Sequence, residues 1–353
     1  MQLYNLLFKT GAAEIRAVNN INVEDTKYIR PIIEVTRGRK TKSDNIGDSD
    51  KKIISLLNFF KKSPEIIFDI TSDFLLSNSL IDSLFFPDDG YKKWCDFCLK
   101  YKEHHKGLVP VLQINPDDSS FSENLFLQAK KLLTNFEKIC YRSDMLDFGF
   151  EDDLSVISDL INDNNLLIVL DCGYMDSSFH WYADKVRERI DLIKSIFTDV
   201  DFVVTATSFP KSVSDVGHEN YDSFKLSEIE LYNKLAEEYP KLGYGDYGSV
   251  NPVRNDMIAR GWIPRIDVPL DDRIYYRRLR KQKEDESYST AYRRISEMLI
   301  EDKQYPRHLK CWGIDCINST ASGEVAGSSP SFWISVRMNI HIKQRINHIS
   351  SKL

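Results

Sequence analysis

Short runs of β-branched and apolar residues recur along the chain, each followed by a longer stretch with apolar residues at helical spacing. That alternation constrains the fold more than any other feature. The run Leu166–Leu170 is continuous Leu, Ile and Val, as suits a parallel strand covered on both faces. Comparable runs at Leu3–Phe8, Ile29–Val35, Glu65–Ile70, Leu108–Ile114, Lys138–Tyr141, Phe202–Ala206 and the short Lys241–Tyr247 bring the strands to eight. Helices are predicted over Gly11–Asn20, Lys51–Phe60, Tyr91–Tyr101, Ser122–Leu133 (with Ser122 as N-cap), Asp152–Ile161, Trp181–Phe197 and Leu226–Tyr239. Eight strands with seven intervening helices fit an α/β, TIM-barrel-like (β/α)8 fold better than an open sheet, which stops at about six. Ser331–Ile349 supplies the eighth helix. The 353 residues then form one (β/α)8-like domain, with residues 249–330 inserted beside the mouth after strand eight.

The 42% hydrophobic and 28% charged composition excludes disorder as the dominant state. Six cysteines at irregular positions are too few for a disulfide framework and suit a reducing compartment. No basic segment followed by an apolar stretch opens the chain, and no run approaches 18 apolar residues, so the expected location is cytoplasmic, with no membrane contact. Charge is uneven: residues 1–252 carry 29 Lys and Arg against 41 Asp and Glu, whereas residues 253–353 carry 18 against 12. The basic C-terminal third can face an anionic partner or simply balance an acidic body.

In a barrel, loops at the C-terminal strand ends converge on one mouth. Lys9, Glu34, Asp69, Asp73, Gln113, Arg142, Asp144, Asp171, Ser208, Asp246 and Tyr247 fall at such ends. Glu34, Asp69 and Asp171 are embedded in apolar strand runs, where a carboxylate is costly unless paired. Two readings follow. In a catalytic mouth, these three hold Mg2+ or Mn2+ or act as base, while Lys9 and Arg142 neutralise phosphate charge. In a structural mouth, the same five form an ion-pair network. Phase is critical, since a one-residue error turns a side chain toward the helices.

Other motifs carry less. Gly243-Tyr244-Gly245-Asp246-Tyr247-Gly248 satisfies G-x-G-x-x-G, but Ser249-Val250-Asn251-Pro252 follows instead of a helix; its position after strand eight suits a phosphate loop. Cys95 and Cys98 mimic a redox pair yet lie inside a helical pattern. Arg273 to Lys283 holds six cations and no acid, with Tyr275-Tyr276 interleaved; Arg277 and Arg278 there suit phosphate, and the tyrosines suit base stacking. Trp333, Arg337 and His341 share one helical face at spacing four, with the start of that helix near the mouth, where an anion can also use free N–H groups. The alternative is that Trp333 packs and the others are solvated.

Leu6-Leu7-Phe8-Lys9-Thr10-Gly11 with Glu14 and Ala17, then Ile29-Arg30-Pro31-Ile32-Ile33-Glu34, resembles the start of the beta-protein family, named after a bacteriophage protein. Thr207-Ser208-Phe209-Pro210, Tyr247-Gly248-Ser249, Trp262-Ile263-Pro264-Arg265-Ile266-Asp267, Trp312-Gly313, and Trp333 with Arg337, Asn339 and His341 are similar to its later blocks, so the resemblance covers essentially the whole chain. It implies a barrel-like α/β protein of bacteria or phages, met among mobile-element and antiviral-defence genes, and transfers no catalytic residue. The family opening commonly reads Lys-x-Gly-Glu, whereas Gly11 here precedes Ala12-Ala13-Glu14.

Two functions are therefore expected as alternatives in phage–host conflict. One is an anion-binding mouth, with metal-assisted hydrolysis of a phosphodiester or nucleotide; Asp246, Tyr247, Arg265, Arg277, Arg278, Arg337, Asn339 and His341 would add anion or nucleic-acid contacts. The other is a non-catalytic adaptor or sensor that binds nucleic acid, or a partner protein from a neighbouring defence gene, through residues 254–310.

Overall fold

A computed structural model describes residues 2–40, 46–115, 117–176, 179–216, 219–253, 261–282 and 286–351. Eight parallel strands make the central sheet: β1 (Tyr4–Lys9), β2 (Ile29–Val35), β3 (Ile66–Ile70), β4 (Leu108–Pro110), β5 (Ile139–Asp144), β6 (Leu166–Tyr174), β7 (Asp201–Thr207) and β9 (Gly243–Asp246). Their order is β4-β3-β2-β1-β9-β7-β6-β5. A single parallel bridge, Val111 to Cys140, joins the two outer strands, with the Leu112 N–H donating to the Cys140 carbonyl at 2.8 Å. The sheet is thus a barrel, as its alternating sequence requires.

Side chains alternate with period two along a strand, and this sets the mouth. Leu7, Ile32, Ile67, Cys140, Val169 and Val203 form an apolar plug inside the barrel. Two residues onward along the same strands come Lys9, Glu34, Asp69, Arg142, Asp171 and Thr205. Hence the polar layer caps the plug at the C-terminal end. The opposite phase packs outward on α1 (Ala12–Asn19), α2 (Asp50–Phe59), α3 (Ser79–Leu84), α4 (Asp88–Tyr101), α5 (Phe121–Leu133), α6 (Phe150–Leu160), α7 (Phe179–Ile196) and α8 (Ser227–Glu238).

A second layer covers one side. Strands β8 (Tyr221–Lys225), β10 (Arg265–Pro269) and β11 (Arg273–Arg278) make an antiparallel sheet in the order β10-β11-β8. It packs with α9 (Tyr288–Glu301), α10 (Trp312–Ala321) and α11 (Pro330–Ser350) around Tyr275, Tyr292, Ile317 and Trp333. Helix α11 is the barrel's eighth helix. Its start is set by the Ser329 hydroxyl, which accepts from the Phe332 N–H at 3.2 Å, with Pro330 following, a favoured first helical residue.

The sequence reading omitted β8, α3 and α10. It also misplaced one cap: Ser122 lies within α5, whose N-cap is Ser120, with no side-chain cap bond. Lys283 and residues 254–260 of the expected adaptor surface lie outside the described residues. Cys95 and Cys98 are buried thiols, pushed upward in pKa by burial, which leaves them apolar packing groups. Among the described residues no helix is long and apolar enough to cross a membrane.

Candidate functional site at the barrel mouth

Five residues expected at the mouth meet there. The Arg142 guanidinium is the hub: Nη1 donates to Asp69 at 2.7 Å and to Glu34 at 3.1 Å, while Nε and Nη2 donate to Asp171 at 3.0 and 2.6 Å. Lys9 pairs with Glu34 at 3.0 Å. The remaining carboxylate valences are also used. Asp171 accepts from Tyr247, Thr205 and the Gly173 N–H, and Asp69 accepts from Gln113 and the Ile70 N–H. Glu34, Asp69 and Asp171 are all at most 5% exposed.

Equal burial does not give them equal acidity. Burial alone pushes each carboxyl up. For Glu34 it is outweighed by Arg142 and Lys9, and for Asp171 by Arg142, the Tyr247 hydroxyl and the Gly173 N–H, so both are held below the usual carboxylate range. Asp69 goes the other way: burial, reinforced by the neighbouring Glu34 charge, outweighs Arg142 and raises it. Two carboxylates therefore stay charged and clamp the arginine, and the third more readily holds a proton. Such a split is the environment-made division of labour of acid–base sites.

Asp69, Arg142 and Asp171 border a cavity of about 760 Å3 lying over β3 to β6. Four further carboxylates line it: Asp144, Asp147, Asp152 and Asp153. The Tyr141 hydroxyl donates to Asp153, yet burial and the charges of Asp147 and Asp152 push this carboxyl up to about 6. On the rim, Leu146 and Phe148 are 68% and 102% exposed. Of this wall the sequence marks only Asp144, at a strand end; the signal for the rest is Glu151-Asp152-Asp153 in the first turn of α6, a short loop beyond β5.

Two expectations change. Six carboxylates face one guanidinium in this cavity, so an anion is repelled there. The position a cation would take between Glu34, Asp69 and Asp171 is held by Arg142, and among the described residues no group of three His, Cys, Asp or Glu is arranged to hold a metal ion. The residues present do not fit a resident Mg2+ or Mn2+ while Arg142 keeps this place.

The other residues named from sequence are dispersed. Asp246 is fully buried and accepts from Tyr4, Tyr244 and the Gly248 N–H, with His341 Nε2 at 2.7 Å. Tyr247 serves Asp171 rather than an anion. Asn339 links the Ala17 carbonyl to the Gly313 N–H. Arg265 and Arg337 both pair with Asp267. The expected solvation of Arg337, Asn339 and His341 is thus corrected to burial, because α11 is wedged between barrel and second sheet. Arg277 pairs with Asp302 and stacks on Tyr221; Arg278 lies half-buried at the end of β11. Tyr275 and Tyr276 are completely buried, so neither can stack on a base.

A family model described as Beta protein matches residues 4–347. Protein beta of Enterobacteria phage P4 is 28% identical over 347 residues, which cover 97% of this chain and 92% of the phage protein. Among solved structures, a chain of the tryptophan synthase complex of Pyrococcus furiosus matches with a TM-score of 0.40 and 10% identity over 70% of this chain and 87% of its own. The GH10 xylanase of Thermobacillus composti gives 0.37 and 10%, over 70% and 83%.

Proposed function

The chain belongs to the Beta protein family, and on that premise we propose that it acts in phage–host conflict as a nucleotide hydrolase, with the acid–base group at the barrel mouth. The observation that carries this reading is the split among three equally buried carboxylates around Arg142, beside a 760 Å3 cavity. In this scheme Asp69, the readiest of the three carboxyls to hold a proton, gives it to the leaving group. Water supplies the hydroxyl to the substrate, and its remaining proton returns to Asp69. Arg142, 2.7 Å from Asp69, stabilises the carboxylate formed in between. Glu34, Asp171 and Lys9 hold the guanidinium and set the charge. Hydroxyl and amino groups of the ligand suit the acidic wall, being hydrogen-bond donors.

The test is product analysis after incubating the purified protein with a panel of ribonucleotides and dinucleotides, with and without Mg2+ or Mn2+. Wild type is expected to release free base without added metal. Asp69→Asn is expected to lose roughly 10²- to 10⁴-fold in rate while keeping its thermal midpoint. An unaffected Asp69→Asn, or no turnover by wild type, overturns the reading. A rate that requires metal and is lost on chelation would show that Arg142 gives way and would restore the metal-assisted route.

A further inference from the structure

A second cavity, of about 420 Å3, opens at the same mouth beside β1, between the loops after β7 and β9 and the start of α11. We propose that it is an anion site that seats the phosphate of the ligand, leaving the donor-rich remainder to the acidic cavity; the proposal rests on the hydrolase reading above.

The polarity is opposite to that of the first cavity. Lys9, Lys211 and Arg337 line it, against one carboxylate, Glu14. Arg337 is only 4% exposed, stacks its guanidinium 3.7 Å over the Phe209 ring, and has a buried Nε without a hydrogen-bond acceptor. Its partner Asp267 gives one oxygen to Arg337 and the other to the buried Arg265, so a single negative charge is shared between two guanidiniums. A buried cation in that position is costly, and an anion brought against it relieves the cost. Glu14 supplies part of the compensation. Its carboxylate folds back over Gly11 at the start of α1, where it would collide with any Cβ at that position, and its charge acts on Arg337. The chain thus holds an anion of its own at the site, which an incoming phosphate meets as a competitor. Loops after the last barrel strands and the start of the last helix are also where barrels commonly hold phosphate.

The two cavities are joined through paired charges. Lys9 lines the basic one and pairs with Glu34, which bonds Arg142, which lines the acidic one. A ligand that spans the mouth therefore needs an anionic end and a donor-rich end, and a mononucleotide has both.

Inorganic phosphate is the probe, titrated calorimetrically into the full chain across a salt series. Saturable binding to wild type is expected, roughly fivefold weaker in Lys211→Ala and five- to tenfold tighter in Glu14→Gln, with affinity falling as salt rises. Both substitutions lie at the cavity edge, so folding is retained, as circular dichroism would verify. No saturable binding in wild type and Glu14→Gln, or binding that neither substitution alters, overturns the proposal. Comparing nucleosides with their 5′-monophosphates separates it from the hydrolase reading. Equal turnover of both, lost in Asp69→Asn, refutes the phosphate seat and leaves the catalyst standing. Phosphate binding that responds to both variants, with no turnover of any nucleotide, keeps the seat and refutes the catalyst.

Discussion

Two buried charge clusters, one at the mouth and one beneath α11, differ in a way that separates site from scaffold. At the mouth, Arg142, Asp69 and Asp171 border a large cavity, and the environment holds Glu34 and Asp171 below the usual carboxylate range but raises Asp69. Beneath α11, Asp246 and His341 have side chains with no exposure at all. Asp246 there is bonded to Tyr4, Tyr244, the Gly248 N–H and His341: burial pushes its carboxyl up, but His341 and the two tyrosine hydroxyls more than offset that and hold it low. The second cluster joins β1 and β9 to the last helix and offers no room to a ligand. A buried ionisable residue is thus informative about function only when open space and an uneven proton affinity accompany it.

The largest effect that would test this contrast is on stability. His341→Ala strips the buried Asp246 of its ring partner and is expected to cost about 3 kcal/mol, read from the urea midpoint. A loss below about 1 kcal/mol would mean that the cluster is not a structural clamp.

Arg142→Met is expected to cost about 2 kcal/mol at neutral pH, because the buried Glu34 and Asp171 carboxylates lose their counter-charge. The pH dependence carries the sharper message. In wild type, the depressed Glu34 and Asp171 contribute stability that is fully present above their unfolded values and is lost as pH falls through the folded ones. In the variant the same groups are raised instead and take up protons, so the deficit should shrink as pH falls from 7.5 to 5. Denaturation at both values checks the direction; a deficit independent of pH would place the effect in packing.

The smallest effect concerns the acidic wall. Because burial holds the Asp153 carboxyl at about 6 in the fold, above its ordinary value of 3.8, wild type loses stability as pH rises through that window and bears the full cost above it. Asp153→Asn, still able to accept from Tyr141, should therefore stabilise by about 1 kcal/mol at pH 8, by about half of that at pH 5 and by almost nothing below about pH 4. An unchanged or reversed pH trend would show the carboxylate to be well solvated.

Much of the barrel was legible because parallel strands buried on both faces leave continuous apolar runs, as in β6. Strand β8 left no such trace, since Tyr221-Asp222-Ser223-Phe224-Lys225 is largely exposed and owes its strand state to pairing with β11. Helix α10 was missed for a related reason: Gly313, Asn318, Ser319 and Thr320 blur its period, and packing against α9 and α11 holds it. At the site, Lys9, Glu34, Asp69, Arg142 and Asp171 could be named in advance because polar residues stood at the ends of apolar strands. Of the acidic wall only Asp144, at the end of β5, could be; Asp147, Asp152 and Asp153 belong to a loop and a helix start, where carboxylates are ordinary.

By itself, then, the sequence determined the barrel and brought Lys9, Glu34, Asp69, Arg142 and Asp171 to its mouth, because strand period and burial are local properties of a run. Only the tertiary structure decided that Arg142 occupies the centre of the carboxylates, that the basic β11 run hides its tyrosines, and that Arg337 faces a cavity while His341 does not. Those outcomes depend on which segments distant in sequence come within a few ångströms, where burial and neighbouring charge together set proton affinity.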